Sequence, residues 1–167
     1  MTYQHVTHEF PPLYDAASEV LILGSIPSPK SRQQAFYYGH PQNRFWKVLA
    51  AVFDAPVPQS VEEKKHLALS HGIALWDSLE ECEICGASDS SIKNPVPTDI
   101  PWLLQQTEVS RIYATGQSAF RLYQKYQFPQ TGMEALRLPS TSPANCAVSL
   151  EQLIAAYAVI VNNQTGI

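Results

Sequence analysis

The residues that could do chemistry concentrate in one segment of the chain, residues 20–49. It opens with the apolar run VLIL, which is typical of a buried strand in a parallel sheet. A loop with hydroxyl, aromatic and amide side chains follows, and a helix is predicted to begin at Asn43. Because ligands of open α/β sheets bind beyond the carboxyl ends of the strands, this loop is the predicted site. Its aromatic and amide groups suit a flat heterocycle, and it has no phosphate-binding P-loop pattern.

Composition restricts the class of protein. The chain has 167 residues, 45% of them hydrophobic and 16% charged, as in a globular protein with a sizeable core. We therefore expect a single domain over residues 1–167. No apolar run reaches the ~20 residues of a membrane span, and the N-terminal segment lacks the apolar core of a signal peptide. These two observations predict a cytoplasmic protein that does not bind membranes.

The charge distribution bears on the kind of partner. A formal net charge of −4 and a pI near 5.7 argue against a broad basic face of the kind that dominates many DNA-binding proteins. Lys30, Arg32, Arg44 and Lys47 nevertheless form a local basic group within the predicted site segment. A local contact with an anionic partner is therefore compatible with the sequence.

The cysteines argue against a metal site. Cys82 and Cys85 have C-x-x-C spacing, but Cys146 is the only further cysteine in the sequence. Iron–sulfur clusters and structural zinc sites usually need four ligands, and no histidine stands at a supporting distance along the chain. The sequence therefore predicts reduced thiols and no metal.

Strands and helices are predicted to alternate along the chain. Short apolar runs predict strands at residues 20–25, 73–77, 111–116 and 135–138. Helical spacing and capping residues predict helices at residues 43–53, 60–70, 98–108, 117–126 and 148–161. The N-terminal 18 residues are predicted to form an irregular arm or a short helix, and residues 81–97 a loop. This is an α/β pattern, and right-handed crossovers would place the loops after the first, second and fourth strands on one rim.

Two segments resemble the motifs of the uracil-DNA glycosylase superfamily. Gly24-Ser25-Ile26-Pro27-Ser28, followed by an aromatic loop and by His40-Pro41-Gln42-Asn43-Arg44-Phe45-Trp46-Lys47, is similar to the first motif. Leu138-Pro139-Ser140-Thr141-Ser142-Pro143-Ala144-Asn145 is similar to the second motif, the loop that presses into DNA. The spellings YYGHPQNRFW and LPSTSPAN, together with Asp89-Ser90-Ser91-Ile92, resemble the hypoxanthine-DNA glycosylase branch. The resemblance extends over residues 20–157.

The resemblance implies a fold and an activity. The fold would be a three-layer α/β/α sandwich with a four-stranded parallel central sheet. The activity would be that of a DNA repair glycosylase, which hydrolyses the N-glycosidic bond of a flipped-out deaminated base. Hypoxanthine, the base of deoxyinosine, is the expected substrate base. The partner would be double-stranded DNA containing such a base, and the enzyme would act as a monomer without a cofactor.

Asn43 and Asp77 are the predicted catalytic residues. Ile26 stands where the uracil and thymine enzymes carry a catalytic Asn, and its apolar side chain cannot hold a water. Resemblance to the hypoxanthine branch implies that Asn43 takes over and holds a water at C1′, although it could serve only as a helix cap. Asp77 ends the second strand, where it could stabilise the cationic sugar electrostatically or only cap the following turn.

The remaining predicted site residues bind the base or the DNA backbone. Tyr38 aligns with the base-stacking aromatic residue of the family, and the predicted base-binding set is Gly24, Ser25, Ile26, Tyr38 and His40. Serine hydroxyls and loop amides are expected to contact phosphates, and the tip of the second motif is expected to fill the space that the flipped base leaves. The predicted DNA-binding set is Ser28, Ser31, Ser140, Thr141, Ser142, Pro143, Ala144 and Asn145.

The sequence leaves three alternative functions to be considered. A uracil or mismatched-thymine DNA glycosylase is the nearest of them, and Ile26 argues against it. A non-catalytic DNA-damage-binding protein is compatible with the acidic pI and the missing Asn of the first motif. A nucleoside hydrolase usually needs an Asp-rich calcium site, which this sequence lacks, and a loop that presses into DNA would be useless to it.

Overall fold

Strands and helices alternate in the part of the chain that the computed structural model describes, which is residues 2–8, 11–26, 36–85 and 88–162, with only the backbone of residues 88, 89 and 162. The strands are β1 (Gln4–Thr7), β2 (Val20–Gly24), β3 (Ile73–Asp77), β4 (Leu79–Cys85), β5 (Ser88–Pro97), β6 (Arg111–Thr115) and β7 (Ala135–Leu138). The helices are α1 (Phe45–Val52), α2 (Val61–Ser70), α3 (Ile100–Gln105), α4 (Gln117–Tyr126), α5 (Phe128–Thr131), α6 (Leu150–Tyr157) and α7 (Val159–Asn162).

Four strands form a parallel sheet in the order β3-β2-β6-β7. Every residue of β2 and β3 is buried, so both faces of the sheet are covered there, as crossover helices require. Helix α2 packs against β3, and helix α4 packs against β6 and β7. Leu13 and Leu75 exchange two backbone hydrogen bonds of 2.9 Å, which covers the outer edge of β3. The predicted α/β fold with a four-stranded parallel central sheet is confirmed.

Capping residues explain where the longer helices begin. The Ser60 hydroxyl accepts the Glu63 N–H at 3.1 Å, and α2 begins at the next residue, as the sequence predicts. The helix predicted at residues 148–161 is instead divided into α6 and α7. It also begins later than expected because Ser149 and Gln152 form a capping box at the start of α6. No helix in the described residues is long and apolar enough to cross a membrane.

Strands β1, β4 and β5 form an antiparallel sheet that the sequence pattern does not predict. The prediction of a loop at residues 81–97 is wrong, and residues 4–7 form a strand where an irregular arm or short helix was expected. Cys82 and Ile84 are buried, whereas Glu81, Glu83 and Cys85 are partly exposed, which is the alternation of a strand with one face on a core. Register shifts along the β4–β5 pair and the polar composition of β5 obscure that alternation in the sequence.

A second, smaller apolar cluster lies between this antiparallel sheet and the end of β2. Its buried members are Val6, Ile26, Leu79, Cys82 and Ile84. The cluster fixes the backbone immediately after β2, where the predicted site begins. Only the tertiary contacts show that the Ile26 side chain belongs to this core.

Candidate active site

The carboxyl ends of the four parallel strands meet at one edge of the sheet. Gly24 at the end of β2 lies opposite Asp77 at the end of β3, and Thr115 at the end of β6 lies opposite Leu138 at the end of β7. The Thr115 hydroxyl donates a hydrogen bond of 3.1 Å to the carbonyl oxygen of Leu23 and so joins β6 to β2. The loops that carry both sequence motifs begin at this edge, as the α/β pattern predicts.

Asp77 is buried at this edge, with 4% of its surface exposed. Its Oδ2 lies 2.8 Å from Nε2 of His8, a residue just beyond β1. Its other oxygen, Oδ1, lies beside Gly24, so close that a methyl group on Gly24 would overlap it. The same methyl group would lie 3.5 Å from the Tyr38 hydroxyl. Glycine at position 24 therefore makes room for a carboxylate between two strand ends.

Buried hydrogen bonds hold the backbone around Asp77. The Thr98 hydroxyl donates to the Asp77 carbonyl oxygen at 2.8 Å. The Gln127 amide nitrogen in turn donates to the Thr98 hydroxyl and to the Ser78 carbonyl oxygen, each at 2.9 Å. These groups are all buried, so their hydrogen bonds keep the end of β3 in one conformation.

Gly24→Ala tests whether the close approach of Asp77 matters for activity. The added methyl group overlaps Asp77 Oδ1, and the carboxylate must move because the strand backbone cannot. We expect release of the substrate base to slow about tenfold or more, since small displacements of a catalytic group are costly. Single-turnover kinetics would measure this, with thermal melting to show that the variant folds. A rate equal to that of the parent would contradict the placement of Asp77 in the site.

Tyr38 connects the first motif to the strand ends. Its ring stacks on Phe45 with centroids 3.9 Å apart and planes inclined by 12°. Its hydroxyl lies 3.3 Å from the Thr115 oxygen, to which it donates because the Thr115 proton is directed at Leu23. Burial, and then the charge of Asp77, raise the pKa of the Tyr38 hydroxyl, which therefore stays a neutral donor. One face of the ring is covered by Phe45, so only the opposite face can stack on a base.

The backbone of Tyr38 is strained. Its φ is +54°, a left-handed conformation that L residues other than Asn and Asp rarely adopt. Such strain persists only where surrounding contacts enforce it, and it is common at functional sites. The stack on Phe45 and the hydroxyl contact with Thr115 are the contacts that hold Tyr38 in place.

Asn43 makes two structural hydrogen bonds through its side-chain oxygen and keeps its amide nitrogen available as a donor group. Its Oδ1 accepts the backbone N–H of Phe45 at 2.9 Å and the Thr141 hydroxyl at 2.8 Å. The first bond satisfies the N–H of the first residue of α1, which begins two residues later than predicted and has Arg44, not Asn43, at its N-cap position, and the second joins the first motif to the second. Both lone pairs of Oδ1 are therefore used. The amide nitrogen is the group through which Asn43 can bind a water or a base.

Arg44 fixes the second-motif loop against the first. Its guanidinium donates to the carbonyl oxygens of Val148 at 2.6 Å and of Asn145 at 3.0 Å. Its backbone N–H donates to the Thr141 carbonyl oxygen at 3.1 Å. The sequence placed Arg44 in a surface basic group, whereas the structure uses it to hold the loop that is predicted to enter DNA.

The second-motif loop is also braced internally. The Ser140 and Ser142 hydroxyls accept the backbone N–H groups of Ser142 and Ala144 at 3.1 and 3.2 Å, and the Asn145 amide donates to the Ser140 carbonyl oxygen at 2.9 Å. Thr141 is buried, Pro143 is half-buried and Ala144 is exposed at the tip. The loop therefore presents a small, preformed projection, the shape expected of a wedge.

An open cleft of about 680 Å³ lies beside this loop. Polar and charged groups on its walls come from the start of α4, from β7 and from the second motif, and include Gln117, Arg137, Ser140, Ser142 and Asn145. The cleft has the donors that a phosphate backbone requires, including one guanidinium.

The other predicted site residues have mixed surroundings. His40 is half-buried, and its Nδ1 accepts the Gln42 backbone N–H at 3.1 Å, so that nitrogen braces the turn before α1. Ser25 is half-buried, and its carbonyl oxygen accepts the Leu79 N–H at 3.0 Å. The Ile26 side chain is in the second core cluster and leaves only its backbone for base binding. The predicted contacts of Ser28 and Ser31, like the basic residues Lys30 and Arg32, lie outside the described residues.

The family is decided by comparison with known proteins. Residues 11–160 match the model of the uracil DNA glycosylase superfamily, which is nearly the whole chain. The chain belongs to the uracil DNA glycosylase superfamily. This confirms the resemblance seen in the two motifs and the predicted enzyme class, a DNA glycosylase with DNA as its substrate.

Relatives from two Methanosarcina species support the same assignment of this glycosylase. A hypoxanthine DNA glycosylase from Methanosarcina acetivorans is 32% identical over 137 residues, which cover 81% of this chain and 86% of that protein. A hypoxanthine DNA glycosylase from Methanosarcina barkeri is 39% identical over 87 residues, 51% of this chain and 54% of that protein. A Methanosarcina acetivorans protein solved by NMR, and provisionally named a uracil DNA glycosylase, superposes with a TM-score of 0.77 at 29% identity, covering 91% and 96% of the two chains.

Some groups in the site of this glycosylase were not predicted from the sequence. His8 carries no local signal, because its partner Asp77 is 69 residues away along the chain. Thr115 is an ordinary strand residue in the sequence, and its link to Tyr38 exists only in three dimensions. Arg44, next to Asn43 in the first motif, could have been selected from its position alone.

The cysteines do not form a metal site in the described part of the glycosylase. Cys82 is buried and Cys85 half-buried on β4, and Cys146 is exposed elsewhere. Positions three apart on a strand point to opposite faces, so the C-x-x-C spacing does not bring the two thiols together. Within the described residues, no group of three or more His, Cys, Asp and Glu side chains could hold a metal ion.

Proposed function

We propose that this glycosylase removes hypoxanthine from deoxyinosine in duplex DNA. The observation that carries the proposal concerns two residues of the first motif. The Ile26 side chain is packed in the second core cluster, whereas the amide nitrogen of Asn43 stays available as a hydrogen-bond donor. The first-motif position that would be an Asn in uracil and thymine enzymes has no polar group here, so Asn43 is the amide that can serve the reaction. The similarity to two hypoxanthine DNA glycosylases supports the same substrate.

The reaction hydrolyses the bond between C1′ of deoxyribose and N9 of the base. The bond's electron pair leaves with hypoxanthine, a water oxygen bonds to C1′, and the proton lost by the water balances the one taken up by the base. The products are free hypoxanthine and an abasic site. The transition state resembles an oxocarbenium ion, so a nearby negative charge stabilises it.

Each residue of the site has a role in this proposal. The Asp77 carboxylate stabilises the cationic sugar, and the Asn43 amide nitrogen donates a hydrogen bond to the attacking water. The face of the Tyr38 ring opposite Phe45 stacks on the flipped base. Gly24, Ser25, Ile26 and His40 complete the base pocket, with Ile26 contributing its backbone.

The second motif binds the DNA backbone and enters the base stack. Pro143 and Ala144 at the loop tip enter the stack, where they replace the flipped nucleotide. Thr141 and Asn145 hold the loop in shape, while Ser140 and Ser142 contact phosphates from the wall of the cleft. Ser28 and Ser31 are also proposed to contact phosphates that flank the lesion. A single domain, a monomeric state and a cytoplasmic location stay predictions.

The substrate is tested on matched duplexes that differ in one base. Purified protein is incubated with duplexes holding deoxyinosine, deoxyuridine or deoxyxanthosine, and alkali then cleaves the strand at any abasic site. We expect strand cleavage with deoxyinosine at enzyme concentrations that leave deoxyuridine intact. Efficient uracil release at lower enzyme concentration would favour a uracil glycosylase instead. Binding of the lesion duplex without cleavage of any of the three would favour a damage-binding protein.

The affinity for DNA should fall as salt rises. Phosphate contacts release counterions, and each contact contributes a slope of about −0.9 to the plot of log K against log salt concentration for duplex DNA. The net charge of −4 makes local contacts, such as the one at Arg137, responsible for this dependence. Fluorescence anisotropy between 50 and 200 mM salt, a range of about fourfold, would measure the slope. A flat titration would contradict the proposed cleft.

A further inference from the structure

We propose that His8 is a positioning residue for the reaction, holding the Asp77 carboxylate so that Oδ1 faces Gly24 and Tyr38. This inference rests on the proposed function, because it gives Asp77 a catalytic role. His8 lies three residues before the segment that matches the superfamily, so the family assignment by itself gives it no role.

The contact between His8 and Asp77 is sequestered from solvent. Nε2 of His8 and Oδ2 of Asp77 are 2.8 Å apart, and the two side chains are 1% and 6% exposed. The comparable contact of His5 with Glu81 is 3.1 Å long, with side chains 59% and 40% exposed. A buried carboxylate needs hydrogen-bond donors to offset its lost hydration, whereas an exposed one can use water. In the N-terminal segment, His8 therefore forms a buried contact with a carboxylate, whereas the contact of His5 is exposed to water.

His8 is itself held in place by the antiparallel sheet. Its backbone N–H donates to the Glu80 carbonyl oxygen at 2.7 Å, just beyond the pairing of β1 with β4. Its ring lies against Tyr37, with centroids 5.8 Å apart. The Tyr37 hydroxyl donates to the Pro11 carbonyl oxygen at 3.0 Å, which ties this ring to the arm as well. The N-terminal segment that contains β1 thus holds the His8 imidazole at a fixed position beside the end of β3.

The position of the imidazole decides which way the carboxylate faces. With Oδ2 bonded to His8, Oδ1 is directed at the space above Gly24, which the Tyr38 hydroxyl also borders. Without the donor, the Asp77 side chain can rotate about its last bond and turn Oδ1 away from the site. The backbone of Asp77, held by Thr98, would not move. Because its side chain is buried, His8 acts on the orientation of the Asp77 charge.

Two substitutions of His8 distinguish its role as a hydrogen-bond donor to Asp77 from its role in packing. His8→Gln retains a nitrogen donor at about the reach of Nε2, while His8→Leu keeps apolar volume without a donor. We expect His8→Leu to slow single-turnover release of hypoxanthine about 10- to 100-fold, as for a displaced catalytic group. His8→Gln should stay within about threefold of the parent, and both should bind the lesion duplex as the parent does. His5→Leu, on the same arm, is the matched control and should leave the rate unchanged.

A double variant shows whether His8 acts through Asp77. If it does, His8→Leu should cause no further loss in a protein that already carries Asp77→Asn, because that protein has no negative charge left for His8 to orient. Losses that multiply would mean that His8 supports the structure generally and would overturn the proposal. Equal rates for His8→Gln and His8→Leu, or a His8→Leu rate within threefold of the parent, would also overturn it.

A spectroscopic measurement covers the case in which the His8 variants fail to fold. In the full chain labelled with ¹⁵N, the His8 Nε2 proton should exchange slowly with water, and its resonance should shift in Asp77→Asn. An unchanged resonance would overturn the contact and with it the proposal. A parent protein that releases no hypoxanthine would instead disprove the proposed function, while this resonance would still report on the contact.

Discussion

Replacing Asn43 with alanine is expected to slow single-turnover release of hypoxanthine by about 10²–10³-fold, the usual cost of losing one well-placed group in the transition state. The variant should still bind the lesion duplex, because the phosphate contacts are made elsewhere. The amide nitrogen of Asn43 is the donor available at the start of α1, since its oxygen is used by Phe45 and Thr141.

Alanine also removes those two structural bonds, so a second variant is needed. Asn43→Asp keeps an oxygen for the Phe45 N–H and the Thr141 hydroxyl but loses the nitrogen donor. We expect Asn43→Asp to be as slow as Asn43→Ala under saturating enzyme, with a melting temperature close to that of the parent. Thr141→Val removes only the hydroxyl bond to Asn43 and is the control for that loss.

The cap interpretation of Asn43 predicts another outcome. A residue that only caps a helix costs about 1 kcal/mol of unfolding free energy when replaced by alanine, with activity largely kept. Melting temperature and rate measured on the same preparations distinguish the two roles. An Asn43→Ala protein within a few-fold of the parent rate would make Asn43 a structural residue and remove it from the proposed mechanism.

Asp77→Asn is expected to slow the reaction by about 10²-fold or more, because it removes the negative charge that faces the cationic sugar. The amide has the same shape as the carboxylate and retains an oxygen that can accept a bond from His8. The backbone bond from Thr98 is unaffected by the change. The loss should therefore appear in the chemical step, with little change in the melting temperature.

Asp99→Asn is the matched control for this change. Asp99 is exposed, and its side chain accepts the Trp102 N–H at 3.2 Å at the start of α3. The same loss of charge at that position should leave the rate of base release unchanged. Equal effects of the two substitutions would point to overall charge and would remove Asp77 from the proposed catalytic pair.

Much of the fold follows from local features of the sequence. Strands β3 and β7 and helix α4 have the predicted ends, because apolar runs mark the strands, and Gly72 and Gly116 come directly before β3 and α4. The sheet of β1, β4 and β5 was missed because its one-sided alternation is interrupted by register shifts. Pairing between segments far apart in the chain leaves little local signal when one strand is as polar as β5.

The sequence by itself determined the superfamily, the α/β fold and the loops that carry the site, because motif residues and strand ends are local patterns. The tertiary structure alone decided how the side chains are used. It placed His8 beside Asp77, 69 residues away along the chain, and packed Ile26 into the second core cluster. It also used the Asn43 oxygen in structural hydrogen bonds and left the amide nitrogen as a donor. These roles depend on distances between segments that are remote in the chain, and no pattern within one segment encodes such a distance.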